Sequence, residues 1–99
     1  MKAAEAYDVR ARRMFGGMGV YTGERMFAFL IGEDIGLKLS PEDFDEAMLL
    51  EGAGPLHPDA ESEPMREYVK MPKNVLDNVE TFMMWVERSA GYVRKKALG

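Results

Sequence analysis

The stretch 14–21, MFGGMGVY, places three glycines among bulky apolar residues, and glycine-rich loops are one means by which proteins bind phosphate. A phosphate-binding P-loop also requires a lysine followed by serine or threonine at the start of a helix. Here Met18, Gly19, Val20 and Tyr21 follow the first two glycines and continue a strand-like pattern. The spacing therefore argues against nucleotide binding. We interpret the glycines as permitting a bulge and close packing of a helix on a sheet.

The single histidine, His57, stands between Pro55 and Pro58 in an acidic segment. One histidine without any cysteine cannot supply the usual zinc ligands. Ser40 is best explained as a helix cap, so it does not form a nucleophile–base pair with the histidine. The carboxylates at 33–34 and 43–46 are explained by turns and a helix. We expect no metal, no cofactor and no enzymatic activity, and an enzyme that uses His57 with the acidic loop is the remote alternative.

Basic residues are concentrated near the two ends of the chain, although the formal net charge is −4. This overall charge argues against a broadly basic nucleic-acid binder. Two interpretations stay open: solvated helix faces, or a patch that binds DNA, RNA or an acidic protein once the ends converge. The candidate residues of that patch are Arg10, Arg12, Arg13, Arg88, Arg94, Lys95 and Lys96.

Length and composition predict one folded domain over residues 1–99. The apolar fraction of 46% is that of a globular chain, and the absence of cysteine excludes a disulfide framework. No apolar run reaches the roughly 20 residues needed to span a bilayer. The first residues, MKAAEAYD, lack the apolar stretch of a signal peptide. We therefore expect a cytoplasmic protein without a membrane segment.

Hydrophobic periodicity predicts an antiparallel sheet packed by helices. Ser40 and Pro41 resemble a helix start, and Asp77 with Asn78 offers a second cap before a helix that runs to about Leu98. The predicted elements are a helix over 2–12, strands over 15–21, 25–31 and 35–39, a helix from 41 towards Gly52, a loop over 53–63 with a short strand near 55–57, a strand over 65–71 and the last helix. The fold class is thus α+β with two layers, in the order α-β-β-β-α-β(β)-α.

The last helix should cover one face of this sheet. The residues expected to do so recur at helical spacing: Val79, Phe82, Met83, Val86, Ala90 and Val93. The run 26–31, MFAFLI, is apolar on both faces, and the chain contains nine methionines, which suit adaptable interfaces. Met84 and Trp85 lie near the edge of the helical stripe. These features predict a homodimer or another protein partner.

The same stretch, 14–21, resembles the TfoX N-terminal domain family, which is named for a bacterial regulator of natural competence. The resemblance extends over nearly the whole chain from Met14 onward. It is carried by Met14, Phe15, Gly16, Gly17, Gly19, Tyr21, Met26, Phe27, Ala28, Leu37, Lys38, Leu39, Phe44, Gly52, Met65, Tyr68, Met71, Pro72 and Trp85. Leu56 and Pro58 depart from the aromatic residues that relatives often have there, and the stretch before Met14 is short for the family's first helix.

The resemblance implies a secretion-chaperone-like α+β fold and a non-enzymatic regulatory role. Full-length members carry a separate C-terminal domain and act with the cyclic-AMP receptor protein at competence promoters. We therefore expect a protein–protein interaction module that acts as a co-regulator of transcription or competence, with a partner in the transcription machinery. Direct binding of DNA or RNA by the basic residues is the alternative.

Overall fold

A computed structural model describes residues 9–14, 16–58, 61 and 63–98. Six strands form one antiparallel sheet in the order β1-β2-β3-β4-β6-β5. The strands are β1 (Val9–Met14), β2 (Gly17–Thr22), β3 (Arg25–Ile31), β4 (Asp34–Lys38), β5 (Gly54–Pro55) and β6 (Tyr68–Lys70). Gly16, Gly23 and Gly32 have φ of 77°, 61° and 58° in the three tight turns, a conformation that glycine adopts without a steric penalty.

Three helices complete the described part of the chain: α1 (Pro41–Met48), α2 (Lys73–Leu76) and α3 (Val79–Leu98). The predicted cap of α1 is confirmed, because the Asp43 N–H donates to Ser40 Oγ at 3.2 Å. Asn78 caps α3, since its Oδ1 accepts from the Thr81 N–H at 3.1 Å. None of the helices described combines the length and apolar character that a bilayer crossing requires.

The fold class is confirmed as α+β, but the predicted order lacks the strand β1. Residues 9–12 belong to β1 instead of the predicted first helix, whose residues 2–8 lie outside the described part of the chain. Alanine and arginine are good helix formers, but propensities differ by less than about 1 kcal/mol per residue, and pairing of Val9–Met14 with Gly17–Thr22 overrides that preference. The sequence pattern also missed α2, which begins directly after Pro72.

A β-bulge in β3 decides which side chains lie on each face of the sheet. Val20 pairs with Ala28 and Tyr21 with Met26, which leaves Phe27 as an extra residue. Phe27 and Ala28 consequently both lie in the main core, the buried cluster beneath the helices that also contains Leu37 and Trp85. Phe29 lies in a second buried cluster, with Leu56 and Tyr68. Side chains satisfy two carbonyls here: Ser89 Oγ donates to Phe27 O at 2.8 Å, and the Tyr68 hydroxyl donates to Met26 O at 3.1 Å.

Helix α3 covers the sheet much as its periodicity predicts. Val86, Ala90 and Val93 are buried in the main core, and Phe82 and Met83 are partly buried against it. The prediction fails at Val79, which is 72% exposed because it is the first residue of the helix. Trp85 is only 2% exposed and is therefore a core residue instead of part of a partner surface, whereas Met84 is 39% exposed.

The other face of the sheet is covered by the chain itself. Phe29, Leu56 and Tyr68 form a second buried cluster. Methionines and an isoleucine at its margin are partly buried: Met14, Met26, Ile31 and Met65. Gly36 makes room for this cover, because a Cβ there would lie 2.2 Å from Leu56 Cδ2. The two apolar faces of β3 are thus both explained within one chain.

Candidate functional site: a cationic edge strand

Strand β1 forms an edge of the described sheet and carries three of the predicted basic residues. Arg10 pairs with Tyr21 and Arg12 with Gly19, so these two arginines share the sheet face of the second cluster. Arg13 pairs with Met18 and lies on the opposite face, which α3 covers farther along the sheet. All three arginines are exposed. We call Arg10, Arg12 and Arg13 the cationic edge.

A groove of about 470 Å³ follows this edge, lined by Arg10, Ala11, Arg12, Tyr21 and Glu24. The Arg10 guanidinium donates to the carbonyl of Gly23, in the turn between β2 and β3. This bond ties the start of β1 to the neighbouring turn. The groove therefore combines arginine cations with one aromatic ring and one carboxylate.

Glycines and methionines form the floor beside this groove. A Cβ at Gly19 would lie 2.6 Å from Met26 Sδ and 2.9 Å from Met14 Sδ, so both thioethers occupy the space above this glycine. The Tyr21 hydroxyl donates to Met14 Sδ at 3.5 Å. A Cβ at Gly17 would approach the backbone oxygen of Leu30 to 2.3 Å. The glycines thus permit close packing against methionines and β3, and not of a helix on the sheet as predicted, and the bulge itself lies in β3.

The basic residues of α3 divide into two groups. Arg88 is committed within the chain: its Nη1 lies 2.9 Å from Glu46 Oε2 and 3.5 Å from Asp43 Oδ1. Its guanidinium also lies 4.8 Å from the centroid of the Trp85 ring, a cation–π contact. These contacts fasten α1 to α3, so Arg88 acts as an internal bridge.

Arg94 and Lys95 are exposed near the end of α3. Phe82, early in α3, lines a cavity with Leu30, near the end of β3, whereas Ser89, later in α3, donates to the carbonyl of Phe27, nearer the start of β3. Helix α3 therefore runs antiparallel to β3. The end of α3 therefore points towards the side of the sheet at which both β3 and β1 begin. The structure brings these two residues towards the same end as the cationic edge; the side chain of Lys96 lies outside the described parts.

A smaller cavity of about 220 Å³ lies beneath the helices. Its lining is apolar: Val9, Val20, Phe27, Ala28, Leu30, Ile35, Leu37, Phe82 and Val86. Specific ligand sites place a few polar groups on an apolar wall to orient the ligand. This lining supplies no side-chain polar group, so we do not assign a ligand to the cavity.

Two groups that could perform acid–base chemistry, His57 and Tyr68, differ in their surroundings. His57 is exposed on the loop after β5. Burial raises the pKa of the Tyr68 phenol, and the nearby Tyr21 and Glu67 raise it further. That phenol O–H donates a hydrogen bond to Met26 O, so it stabilises the backbone beside the β-bulge. The described residues contain no group of three or more histidine, cysteine or acidic side chains that could hold a metal ion.

Sequence reasoning named the arginines of this site but missed that they stand on a strand. The alternation in VRARRM was the available signal, together with the glycine turn at residue 16 that joins it to the next strand. The main-chain edge was missed for the same reason, since a helix presents no such edge.

Two comparisons with known proteins bear on identity. Curated protein sequences give no significant match to the chain. The family model of the TfoX N-terminal domain matches residues 3–92. That match covers most of the 99 residues. It agrees with the α+β architecture and with the resemblance seen from residue 14 onward, and we conclude that the chain belongs to the TfoX N-terminal domain family.

Proposed function

We propose that this protein is a non-enzymatic regulatory interaction module, a co-regulator in transcription or competence that binds a protein partner through the cationic edge. The family is related to competence. The observation that carries the proposal is the position of three exposed arginines on an edge strand. Arginine is enriched in protein interfaces, where its planar guanidinium recognises carboxylates.

The non-enzymatic part of the proposal is supported by what the polar side chains do. Ser40 caps α1, Ser89 bonds the bulge carbonyl and Tyr68 bonds Met26 O. A nucleophile or general base must instead be available to a substrate. These three groups are already used by the fold.

Affinity capture from the native cell, read by mass spectrometry, tests the proposal. The bait proteins are the wild-type chain, an Arg12→Glu/Arg13→Glu variant and a control, Arg66→Glu/Lys73→Glu, which makes the same charge change at exposed positions outside β1. We expect the wild type and the control to retain an RNA polymerase subunit or a transcription regulator that the edge variant loses. Identical protein sets from all three baits would contradict a role for the edge.

Direct nucleic-acid binding is the second candidate, favoured by the direction of α3, which carries Arg94 and Lys95 towards the end where β1 begins. Such binding weakens steeply as salt rises, because bound counterions are released from the phosphates. A mobility-shift assay with DNA and RNA probes at low salt tests it. The absence of any shift would reject this candidate.

A homodimer stays a prediction, but the apolar faces of β3 that suggested it are used within the chain. The doubly apolar β3 is covered on one face by α3 and on the other by the second cluster. Leu49 and Val79, which are 86% and 72% exposed, are among the apolar side chains at the surface. Light scattering after size exclusion, at high micromolar concentration, measures the oligomeric state directly.

A further inference from the structure

We propose that β1 accepts an acidic, extended peptide segment of a partner protein as an additional strand of the sheet. This inference rests on the proposed function and specifies both the chemistry of the partner and its mode of binding. Its basis is the combination of a sheet edge with a fixed pattern of arginines along that edge.

The edge supplies the main-chain half of the interaction. Among the described residues β1 pairs with β2 alone, over the six residues Val9–Met14. An edge strand directs alternate N–H and C=O groups away from the sheet, and an extended peptide can pair with them. A strand of six residues is of ordinary length, so it offers a full ladder.

The arginines supply the charge pattern. Arg10 and Arg12 are two residues apart on one face, about 7 Å along the strand, and Arg13 lies on the other face. Residues opposite one another in an antiparallel pair share a face. An added antiparallel strand that reads Glu-Glu-Thr-Glu places glutamates opposite Arg13, Arg12 and Arg10 and threonine opposite Ala11. The order of charges along β1 thus defines a complementary acidic sequence.

A second copy of the same strand fits this edge poorly. When two copies of β1 pair antiparallel, a two-fold axis relates them, and its position along the strand defines the register. Every register with this axis at a position from Ala11 to Arg13 places at least one arginine opposite an arginine of the other copy. Centred on Ala11, for example, Arg10 faces Arg12 of the other copy. Like charges directly opposite one another destabilise a strand pair. The pattern therefore favours an acidic partner over self-pairing.

Nucleic acid also fits this edge less well than an acidic peptide does. Glu24 lines the groove beside Arg10 and Arg12, and the whole chain carries a net charge of −4. These negative charges oppose phosphates and glutamates alike, so the choice between the two ligands rests on the main chain of β1. A peptide strand can use the outward main-chain groups of β1, which a phosphate backbone cannot match in register.

Fluorescence anisotropy with defined peptides tests the inference on the full chain. The probe is a labelled eight-residue peptide with Glu-Glu-Thr-Glu at its centre, compared with a Gln-Gln-Thr-Gln peptide and with a glutamate peptide that is N-methylated at alternate amides. We expect the glutamine peptide to bind about tenfold more weakly, from the loss of three cross-strand charge pairs. The N-methylated peptide should lose binding, because it cannot form the ladder.

The protein variants test the position of the peptide. Arg12→Glu/Arg13→Glu should weaken binding of the glutamate peptide by about tenfold or more, since attraction becomes repulsion at two positions. Arg66→Glu/Lys73→Glu should bind it like the wild type, and circular dichroism confirms that both variants are folded. Equal binding by both variants would overturn the assignment to β1.

Three other outcomes have distinct meanings. Equal binding of the N-methylated peptide would overturn strand addition. Binding of an RNA oligonucleotide in preference to the glutamate peptide would overturn the choice of partner. Failure of every peptide, with arginine-dependent capture of a cellular protein retained, would overturn this inference and leave the proposed function standing.

Discussion

At the scale of single residues, Gly17 shows why this strand requires glycine. A Cβ there would lie 2.3 Å from the carbonyl oxygen of Leu30 and 3.1 Å from Phe29 Cζ. The first of these atoms belongs to the backbone of β3 and cannot move without disturbing the sheet. The glycine therefore permits close packing of β2 on β3.

We predict that Gly17→Val lowers the free energy of unfolding by about 1–3 kcal/mol through overpacking. For a domain of this size each 1 kcal/mol corresponds to about 4–8 °C in Tm. Gly54→Val is the matched control, because a Cβ at Gly54 meets nothing within 4 Å and this residue also lies in a strand. Differential scanning calorimetry measures both; a Tm of Gly17→Val equal to that of the control would contradict the packing argument.

Tyr68 gives a second prediction at this scale, concerning pH. Burial raises the pKa of its phenol above the ordinary value of about 10. Between pH 10 and that raised pKa the unfolded chain loses the proton while the folded chain keeps it, so stability falls as pH rises. Below pH 10 both states are protonated and this contribution is constant.

Tyr68→Phe should remove this dependence while lowering stability at neutral pH by about 1 kcal/mol, the worth of a typical hydrogen bond. Urea unfolding of both proteins at pH 7 and at several pH values above 10 measures how steeply the free energy of unfolding of each falls as pH rises. Parallel curves for wild type and Tyr68→Phe would show that the phenol does not titrate differently in the two states.

At the scale of elements, the loop after β5 closes one face of the sheet through Leu56. Its side chain is 1% exposed and occupies the space above Gly36 in β4. A Cβ at Gly36 would lie 2.2 Å from Leu56 Cδ2 and 2.9 Å from its Cγ. The two residues are therefore complementary in shape, twenty positions apart in sequence.

We expect Gly36→Ala alone to cost about 1–3 kcal/mol by overpacking and Leu56→Ala alone about 2–5 kcal/mol by leaving a cavity. In the double variant the alanine methyl partly fills that cavity, so the loss should be smaller than the sum of the two. Urea unfolding of the four proteins in a double-mutant cycle gives the coupling energy. Strict additivity would contradict direct packing of Leu56 on Gly36.

The same scale shows what the sequence could predict. The bounds of β3, the serine cap of α1 and the long last helix follow from local signals: apolar runs, capping residues and helical spacing. The identity of β1 does not, because arginine and alanine favour helix and only pairing with β2 makes Val9–Met14 a strand. The bulge at Phe27 and the cover by Leu56 depend on contacts distant in sequence, so no local pattern reveals them.

At the scale of the whole molecule, the basic residues divide between holding the fold and facing outward. The hypothesis that the two basic ends of the chain converge groups Arg88 with the arginines of β1. The structure instead joins it to Glu46 and Asp43 of α1 and to the Trp85 ring. Arg12 and Arg13 are exposed on the edge strand. The candidate patch predicted from the sequence thus contains residues with two different roles.

This division predicts opposite effects for two kinds of substitution. Arg88→Gln should lower the free energy of unfolding by about 1 kcal/mol, since it removes a cation–π contact and partly exposed ion pairs that solvent weakens. It should leave binding of the glutamate peptide within about twofold, because Arg88 takes no part in the three cross-strand pairs with β1.

Arg12→Glu/Arg13→Glu should do the reverse, keeping stability within about 0.5 kcal/mol, as is usual for surface changes. Chemical unfolding and peptide anisotropy on the two proteins measure both quantities. If Arg88→Gln abolished peptide binding while its stability stayed unchanged, the partner surface would lie on α3, and the basic ends of the chain would act as one patch.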